Sequence, residues 1–294
     1  MKIKKSILVS FLSKISLQSD SSIVEAVFDF QDDGVHVKAM TPDNIVMVNG
    51  FLRASVFENY AVLGEVGFQE IPSIINIVKT FSEDVEISIN GNISDFKEKD
   101  RGVALEILDV SIMQKGKEIK GLELDETVLI ESKKLNTLIS DMTSNNKGEF
   151  NVKFTTGNNV MGVSNTVGKY KFRDTFRELD CKEGTNATFG VPLANAIKNL
   201  TDEIAVSLKT NFPIKIVETT ADSTITIVVA PRVENTNVIE VPAPKIETPK
   251  VNTQQVADDS IKAEVGVEVE VPKETPVATA KVDDDLDEIV PIVE

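Results

Sequence analysis

The sequence has few of the residues on which disulfide-rich proteins and metalloproteins depend. Its 294 residues include one cysteine, one histidine and no tryptophan. A single cysteine, Cys181, cannot form an intramolecular disulfide, which fits a reducing intracellular compartment. Cys181 and His36 together cannot supply four ligands, so a structural zinc site is excluded. We therefore expect no metal and no cofactor.

The scarcity of histidine also limits the possible catalytic arrangements. A Ser-His-Asp or Cys-His site would need His36 as its base. His36 alternates with Val35 and Val37 in a predicted strand, so we expect its side chain to face solvent or a neighbouring strand. The sequence contains no Gly-x-Gly-x-x-Gly, Walker A or His-Glu-x-x-His pattern. We therefore predict that the protein is not an enzyme, and catalysis is the weakest of the functional alternatives.

Acidic residues are unevenly distributed along the chain. The net charge is -16, whereas a protein that binds nucleic acid usually has a basic balance. The segment from Glu234 to the C-terminus holds 15 acidic and 5 basic residues. The chain before it is only moderately acidic, so its lysines can still gather on one face.

The composition changes sharply near residue 234. All 14 phenylalanines and both tyrosines precede it, while six of the 11 prolines follow it. Such a segment buries too little apolar surface to offset the entropy lost on ordering, so we predict a disordered acidic tail over 235–294. Residues 286–293 place apolar side chains after an acidic run. They could form a partner-binding motif or mask a basic surface, or the tail could simply aid solubility.

No stretch of the chain approaches the 18 apolar residues typical of a membrane span, so we expect no membrane partner. Residues 1–12 loosely imitate a signal peptide, with lysines before a short apolar run. Lys14 stands soon after this run, and no small-residue cleavage site appears. We therefore expect an intracellular protein.

The residues before 234 combine predicted strands with four helical stripes, which predicts an α+β fold of antiparallel sheets and helices. The helical stripes are Ile7, Leu8, Phe11, Leu12 and Ile15; Ile71, Ile74, Ile75 and Val78; Leu135, Leu138, Ile139 and Met142; and Leu193, Ala194, Ile197 and Leu200. Pro72 and Pro192 fall at predicted helix starts, where proline is tolerated. Strands are predicted at 24–30, 35–39, 46–52, 85–89, 103–110, 128–131, 150–154, 160–163, 169–172, 187–191, 204–208, 214–217 and 225–229.

An internal repeat indicates a duplicated domain. Residues 76–89 and 195–208 match in character at nearly every position, at a constant offset of 119 residues. This offset is too long for a solenoid repeat. It predicts two domains of one design, each with two helices and several strands.

Lysines recur on all four predicted helices or in their first turns. They are Lys5, Lys14, Lys79, Lys133, Lys134 and Lys198. Because the apolar stripes exclude them, we predict that they face away from the sheets. On any single helix an ordinary solvated face explains them. Over four helices they predict a basic face that contacts phosphates without reading sequence.

Several segments together resemble one known family. Ala230-Pro231-Arg232-Val233-Glu234 closes the last predicted strand and is the most specific of them. The hairpin at 28–40 has an acidic-glycine turn that leads into an Ala-Met pair. A Phe-x-x-Tyr segment lies at 56–60. The residues that lead into the fourth predicted helix lie at 189–192, and a strand lies at 213–216. These features, over about residues 1–234, resemble the archaeal and eukaryotic sliding clamps of the proliferating cell nuclear antigen (PCNA) family; a viral source stays open.

The resemblance implies a homotrimeric ring of six similar domains, with twelve helices around duplex DNA. The implied function is that of a DNA polymerase processivity factor, with DNA polymerase, other clamp-binding proteins and a clamp-loader ATPase as partners. Its implied location is with replicating DNA. The domains would be 1–110 and 126–234, joined by a connector at 111–125. The six lysines would face the DNA, and the strand at 103–110 would pair with the strand near 167–174 of the next subunit.

The resemblance also implies a partner-binding pocket. Carried over by position, the pocket residues are Met40, Ile45, Leu122, Leu124, Pro213, Ala230 and Pro231. The sequence departs from the family pattern at residues 41–44, in a connector with three lysines at 115, 117 and 120, and in the acidic tail. Two alternatives stay open: one subunit of a heterotrimeric or checkpoint-type clamp, and an acidic interaction module that does not encircle DNA.

Overall fold

The structure is a computed structural model that describes residues 1–17, 22–114, 116, 122–144, 150–167, 170–177, 181 and 184–232. These residues belong to one unit of the chain, Met1–Val238. The tail predicted at 235–294 and the three connector lysines lie outside the described residues. Among the helices that the structure describes, none is long and apolar enough to cross a membrane.

The described residues of the first half form two α-helices and nine strands. In chain order they are β1 (Lys2–Ile3), α1 (Lys5–Ser16), β2 (Ala26–Gln31), β3 (Gly34–Met40), β4 (Val46–Arg53), β5 (Phe57–Glu58), β6 (Gly64–Phe68), α2 (Ile71–Lys79), β7 (Val85–Asn90), β8 (Ile93–Glu98) and β9 (Arg101–Glu106), with a 3-10 turn at Ala54–Val56. β9 ends four residues before the predicted end of its strand.

In the part of the second half that the structure describes, there are two α-helices and eight strands. They are β10 (Glu126–Glu131), α3 (Ser132–Ser144), β11 (Val152–Gly157), β12 (Val160–Val167), β13 (Tyr170–Phe176), β14 (Asn186–Phe189), α4 (Val191–Ile197), β15 (Glu203–Leu208), β16 (Ile214–Thr219) and β17 (Ser223–Val229). The predicted α+β class, with four helices and antiparallel sheets, is confirmed.

The described strands form three antiparallel sheets. Their orders are β5-β1-β7-β8-β9, then β10-β15-β16-β17-β4-β3-β2-β6, and then β13-β12-β11-β14. The eight-stranded sheet takes four strands from each half, and it becomes continuous where β17 pairs with β4. In this one chain, β9 and β13 each end a sheet.

The two halves repeat the same internal contacts. Phe28 on β2 packs edge-on against Phe68 on β6, with ring centroids 4.9 Å apart. Phe154 on β11 packs in the same way against Phe189 on β14, at 5.8 Å. Each half therefore uses an edge-on aromatic pair at the same place between two strands, as expected of a duplicated design.

A buried glutamate fastens the turn after the second helix in each half. Glu98 on β8 accepts hydrogen bonds from the Ser82 backbone (2.7 Å) and from its hydroxyl (2.9 Å), and one from the Glu83 backbone. Glu218 on β16 accepts the backbone hydrogens of Thr201 (2.7 Å) and Asp202 (3.1 Å). Both carboxylates thus satisfy backbone donors beyond the end of a helix.

The predicted apolar stripes are buried, with small departures. Helix α2 buries all four of its stripe residues. Helix α1 packs closely on β4 at Gly50, where an added Cβ would lie 2.4 Å from Ile15 Cδ1 and 3.0 Å from Phe11 Cζ. A larger residue at position 50 would therefore push α1 off the sheet. Helix α4 ends at Ile197, so Leu200 lies beyond the helix, although it is buried.

The halves are tied beneath the β4–β17 junction by a buried ion pair. The Lys14 ammonium on α1 donates to the Glu218 carboxylate, and the two residues are 4% and 1% exposed. Asn199 also donates to the Ser13 carbonyl at 2.9 Å, joining the turn after α4 to α1. The second oxygen of Glu218 fastens the turn at 201–202, so one carboxylate serves both halves.

Substitution of Lys14 by Met is expected to lower the free energy of unfolding by about 3 kcal/mol, because it leaves Glu218 buried without its cation. The double variant Lys14→Met/Glu218→Gln is expected to regain most of this loss, because no buried charge remains. Urea unfolding of the full chain measures both. The control is Lys79→Met on exposed helix surface, expected to change stability by less than about 0.5 kcal/mol. Equal stability of Lys14→Met and Lys79→Met would contradict the assignment.

Glu98 makes the fold sensitive to acid. Burial acts to raise the pKa of its carboxyl, but the hydrogen bonds from Glu83 and Ser82 outweigh burial and hold the pKa below its ordinary value of 4.5. A carboxyl with a lowered folded-state pKa stabilises the fold above its unfolded pKa. That stability is lost as the pH falls through the folded value.

We therefore expect the wild-type chain to exceed Glu98→Gln in unfolding free energy by a constant amount above about pH 5. This difference should shrink as the pH falls below 4.5. Parallel unfolding curves of the two proteins from about pH 7 to about pH 3 measure it, and effects of other carboxyls cancel in the comparison. A difference that is the same at both ends of this range would rule out an ionised, hydrogen-bonded Glu98.

Candidate functional site

The four helices are poor in acidic residues. Asp141 is the one acidic residue within their bounds, in a chain with 47 acidic and 31 basic residues. None of the helices has an acidic residue in its first turn, where such residues usually favour the helix dipole. The helices thus carry a surface from which negative charge is nearly excluded.

Four of the six lysines predicted to face DNA are exposed on or next to the helices. They are Lys79, Lys133, Lys134 and Lys198. Lys79 ends α2 and Lys198 directly follows α4, at equivalent positions of the 119-residue repeat. The Lys134 ammonium lies 4.6 Å from the centroid of the Phe176 ring and 3.4 Å from the Thr175 carbonyl, so it is directed towards β13.

The other two lysines differ from the prediction. Lys14 does not face away from the sheets, because the buried Glu218 on β16 draws its ammonium into the interior. Its prediction as a DNA-facing residue is therefore wrong. Lys5 is half-buried, and its ammonium donates to the Phe81 carbonyl just beyond α2. The apolar stripe of α1 could not reveal either partner, because both come from distant parts of the chain.

A polar groove between α3 and α4 adds groups that the sequence patterns did not reveal. It is lined by Asn136, Thr137, Ser140, Asp141, Asn195 and Lys198, among others. Amide and hydroxyl side chains are among the groups that hydrogen-bond phosphate oxygens in DNA complexes. The signal for them is the recurrence of uncharged polar residues opposite the apolar stripe of α3.

The partner-pocket residues come together in part. Met40, Ile45, Pro213 and Ala230 lie at one end of four adjacent strands, β3, β4, β16 and β17, and all are half-buried. The Ala230 amide donates to the Ile45 carbonyl at 2.9 Å. Pro213 directly precedes Ile214, which pairs with Val229. The end of these strands therefore offers a half-buried apolar surface.

Pro231 continues this surface and leads to a fixed anchor. The Arg232 amide donates to the Thr188 carbonyl at 2.7 Å, and its guanidinium donates to Asn151 Oδ1 at 2.7 Å. The last described residue is thus pinned to the strand ends of the second half, next to the apolar surface.

Leu122 and Leu124 approach this surface less directly. They are half-buried in the segment that leads into β10, and β15 separates that strand from β16. The neighbouring Asp125 pairs with Lys209 at 3.4 Å. The Lys209 ammonium also lies 5.4 Å from the ring centroid of Phe212. Phe212 is 41% exposed beside Pro213, and no sequence pattern singled it out.

Residues 41–44, where the sequence departs from the family pattern, form an ordered turn. The Thr41 hydroxyl accepts the Val46 amide at 3.0 Å, and Asn44 takes a left-handed conformation with φ of 59°. Gln114 donates to Asn44 Oδ1 at 3.1 Å. This contact joins the turn to the start of the predicted connector.

The one histidine has structural contacts and the one cysteine is buried. His36 Nε2 lies 2.9 Å from Asp33 Oδ1, and its ring stacks on Phe51 at 4.7 Å. The hydrogen bond with His36 lowers the pKa of Asp33. Cys181 is 7% exposed. Within the described ranges, no three His, Cys, Asp or Glu side chains are grouped closely enough to hold a metal ion.

Of the comparisons with known proteins, the comparison with solved structures identifies the fold. No protein-family model and no curated protein sequence matches the chain significantly. Among solved structures, the A. fulgidus PCNA bound to the C-terminal region of FEN-1 is 20% identical, with a TM-score of 0.70; 79% of this chain and 98% of that chain are covered.

Two further solved structures have similar scores. The Entamoeba histolytica PCNA is 15% identical, with a TM-score of 0.67, and 79% of this chain and 98% of that chain are covered. A chain of the PCNA2–PCNA3 complex from Sulfolobus tokodaii is 14% identical, with a TM-score of 0.66, and 80% and 100% are covered. These matches, together with the four helices and the antiparallel sheets, show that the chain has the fold of the PCNA-type sliding clamps.

Proposed function

We propose that this chain is a DNA sliding clamp. Copies of it close into a homotrimeric ring around duplex DNA, and the ring tethers DNA polymerase and other replication and repair proteins. The observation that carries the proposal is the near absence of acidic residues from the four helices of a strongly acidic chain. A surface that lies beside DNA phosphates must exclude negative charge, whereas a general solvent-facing surface need not.

The sheets support ring closure. Within the chain, β17 joins β4 to link the two halves. The strand orders make β9 the counterpart of β17 and β13 the counterpart of β4. Both counterparts end a sheet in one chain, and an unpaired edge strand favours pairing with another chain. A second copy can therefore join the first through the same kind of junction that joins the halves.

The proposed organisation follows from this repetition. Residues 1–110 and 126–234 form the two clamp domains, 111–125 the connector and 235–294 an acidic tail. A ring of six such domains places twelve helices around the DNA, and a clamp-loader ATPase is needed to open it. The weak, sequence-independent phosphate contacts of lysine permit sliding. The protein acts by linking partners to DNA, without chemistry of its own.

The experiment that tests the function is loading onto DNA. With the clamp loader of the same organism and ATP, we expect the protein to be retained on a nicked circular plasmid. It should be lost when the plasmid is cut once, because a ring slides off a free end. Gel filtration of DNA-bound protein before and after cutting measures this. Equal retention on circular and linear DNA, or no loading at all, would contradict encirclement.

The lysines equivalent in the two repeats give a sharper test of the DNA-facing surface. We expect Lys79→Ala/Lys198→Ala to reduce loading several-fold at physiological salt. It should also lower the slope of log affinity against log salt by about one for each phosphate that is no longer neutralised. The matched control is Lys38→Ala/Lys153→Ala, two exposed lysines on strands. If both double variants behave alike, the helices are not the DNA-facing surface.

The apolar strand ends form the proposed docking site for partner peptides. Their half-buried residues, Met40, Ile45, Pro213, Ala230 and Pro231, suit apolar side chains. We place Leu122 and Leu124, in the segment before β10, at the edge of this site. The A. fulgidus PCNA was solved with the C-terminal region of FEN-1 bound. By analogy, we propose that the equivalent region of this organism's FEN-1 binds here.

We expect Ala230→Asp to weaken binding of that peptide by about tenfold or more, because a carboxylate would be buried against apolar groups. Ala221→Asp is the control, since Ala221 is exposed in the turn at the opposite end of β17. Fluorescence anisotropy with labelled peptide measures both. Equal affinities of the two variants would exclude this surface as the docking site.

A heterotrimeric clamp is the second candidate. The fold match to the PCNA2–PCNA3 complex, a structure of two different clamp chains, favours it. The solution mass of the purified chain decides between the two. A trimer mass supports the homotrimer, whereas a monomer that assembles only with another clamp chain supports the heterotrimer.

A further inference from the structure

The pairing of β17 with β4 inside the chain predicts which residues would pair between two copies. This inference rests on the proposed homotrimer. Sheet order β1-β7-β8-β9 matches β10-β15-β16-β17, and β6-β2-β3-β4 matches β14-β11-β12-β13. The internal junction is β17 with β4. The junction between copies therefore pairs β9 of one copy with β13 of the next, and each ladder fixes which residues correspond.

The counterpart of Ile225 is Arg101. Glu98 and Glu218 correspond, because each fastens the turn after the second helix of its half. In their ladders, Glu98 stands opposite Arg101 and Glu218 stands opposite Ile225. Residues opposite each other in an antiparallel ladder point to the same face of the sheet. Arg101 therefore occupies the place of a core isoleucine, on the helix side of its sheet.

The counterpart of Gly50 is Asp174. The aromatic pairs equate Phe28 with Phe154, and these residues stand opposite Val37 and Val163. The next ladders then place Gly50 opposite Val37 and Asp174 opposite Val163. Since Ile225 stands opposite Gly50 inside the chain, the same register puts Arg101 opposite Asp174 of the next copy.

The counterpart of Lys14 is Asp141. Ile3 and Ile130 correspond, because they stand opposite Val85 and Ile204 at the start of the matching strands. Eleven residues further along each chain segment are Lys14 on α1 and Asp141 on α3. Inside the chain, the helix supplies the cation and the strand β16 supplies the anion. Between copies, the helix supplies an anion instead.

We propose that Arg101 of one copy is held between Asp174 and Asp141 of the next copy, and that this contact is the ionic tie of the ring junction. Compared with the Lys14–Glu218 pair inside the chain, the charges are exchanged. The cation is now on a strand, and the helix carries an anion. Arg101 is already oriented for this role. Its guanidinium donates to the Thr80 hydroxyl at 3.1 Å and lies 5.9 Å from the Phe81 ring centroid. It has five donors, so it can keep Thr80 and bind carboxylates as well.

The acidic partners of Arg101 come from the next copy, because the glutamate beside it in its own copy is already hydrogen-bonded. Glu98 lies opposite Arg101 in its own ladder, and it is occupied by the turn at residues 82–83. A lysine at position 141 would restore the internal scheme, with helix cation and strand glutamate. Arg101 at the place of Ile225 favours a partner edge that carries acids, as a second copy of this chain does with Asp174 and Asp141.

The test measures the trimer mass and its dissociation on dilution for the full chain and four variants, one of which is a control. Arg101→Asp and Asp174→Arg, each alone, place like charges together and are expected to weaken association by about 100-fold or more. The combined variant Arg101→Asp/Asp174→Arg exchanges the charges of the direct pair. It is expected to recover most of the association, which a variant that merely fails to fold would not do.

The control is Arg173→Asp, which makes the same type of change on the neighbouring position of β13, on the opposite face of the strand. It is expected to leave the trimer unchanged. A wild-type chain that is monomeric at all concentrations would overturn the ring itself. A trimeric wild type with Arg101→Asp equal to Arg173→Asp, or with no recovery in the combined variant, would overturn the Arg101 contact alone.

Discussion

Seven residue pairs between β4 and β17 make one sheet continuous across the two halves of the molecule. Their ladder alone would leave the helices beneath free to shift. The buried Lys14–Glu218 pair and the hydrogen bond from Asn199 to Ser13 fix α1 under that ladder. Since Glu218 also fastens the turn after α4, the position of one carboxylate determines the placement of helices from both halves.

The helices lack the stabilisation that acidic residues in their first turns would provide, and their surface is poor in acidic residues as a result. An acidic residue in a first turn is worth about 0.3 to 1 kcal/mol through the helix dipole, and none of the four helices has one. Burial of apolar stripes, such as the four residues of α2, compensates for this loss. The sheets bear many of the acidic residues that keep the molecule charged. Fold stability and the proposed DNA contact are thereby assigned to different faces of the same helices.

The sequence predicts what is local and leaves undetermined what depends on distant partners. The helical stripes, the β2–β3 hairpin and the 119-residue repeat follow from periodicity and turn residues. Strand β8 escapes prediction because its buried face carries Ser94 and Glu98 beside Phe96, which breaks the apolar alternation. Lys14 is misassigned for a related reason: its partner lies 204 residues away. The exposure of Phe212 likewise depends on how β15 and β16 turn.

The anchor at Arg232 has a consequence for competition. Its amide and guanidinium fix the chain beside the apolar strand ends, and 62 residues follow it. Whatever conformation they adopt, these residues stay within a bounded distance of that surface. A segment among them that bound this surface would do so as an intramolecular ligand, at a local concentration that dilution of the protein does not change. A partner in solution would displace such a segment only if the partner's concentration, relative to its dissociation constant, were higher than that of the tethered segment. The tail would then set a threshold for binding at the proposed docking site.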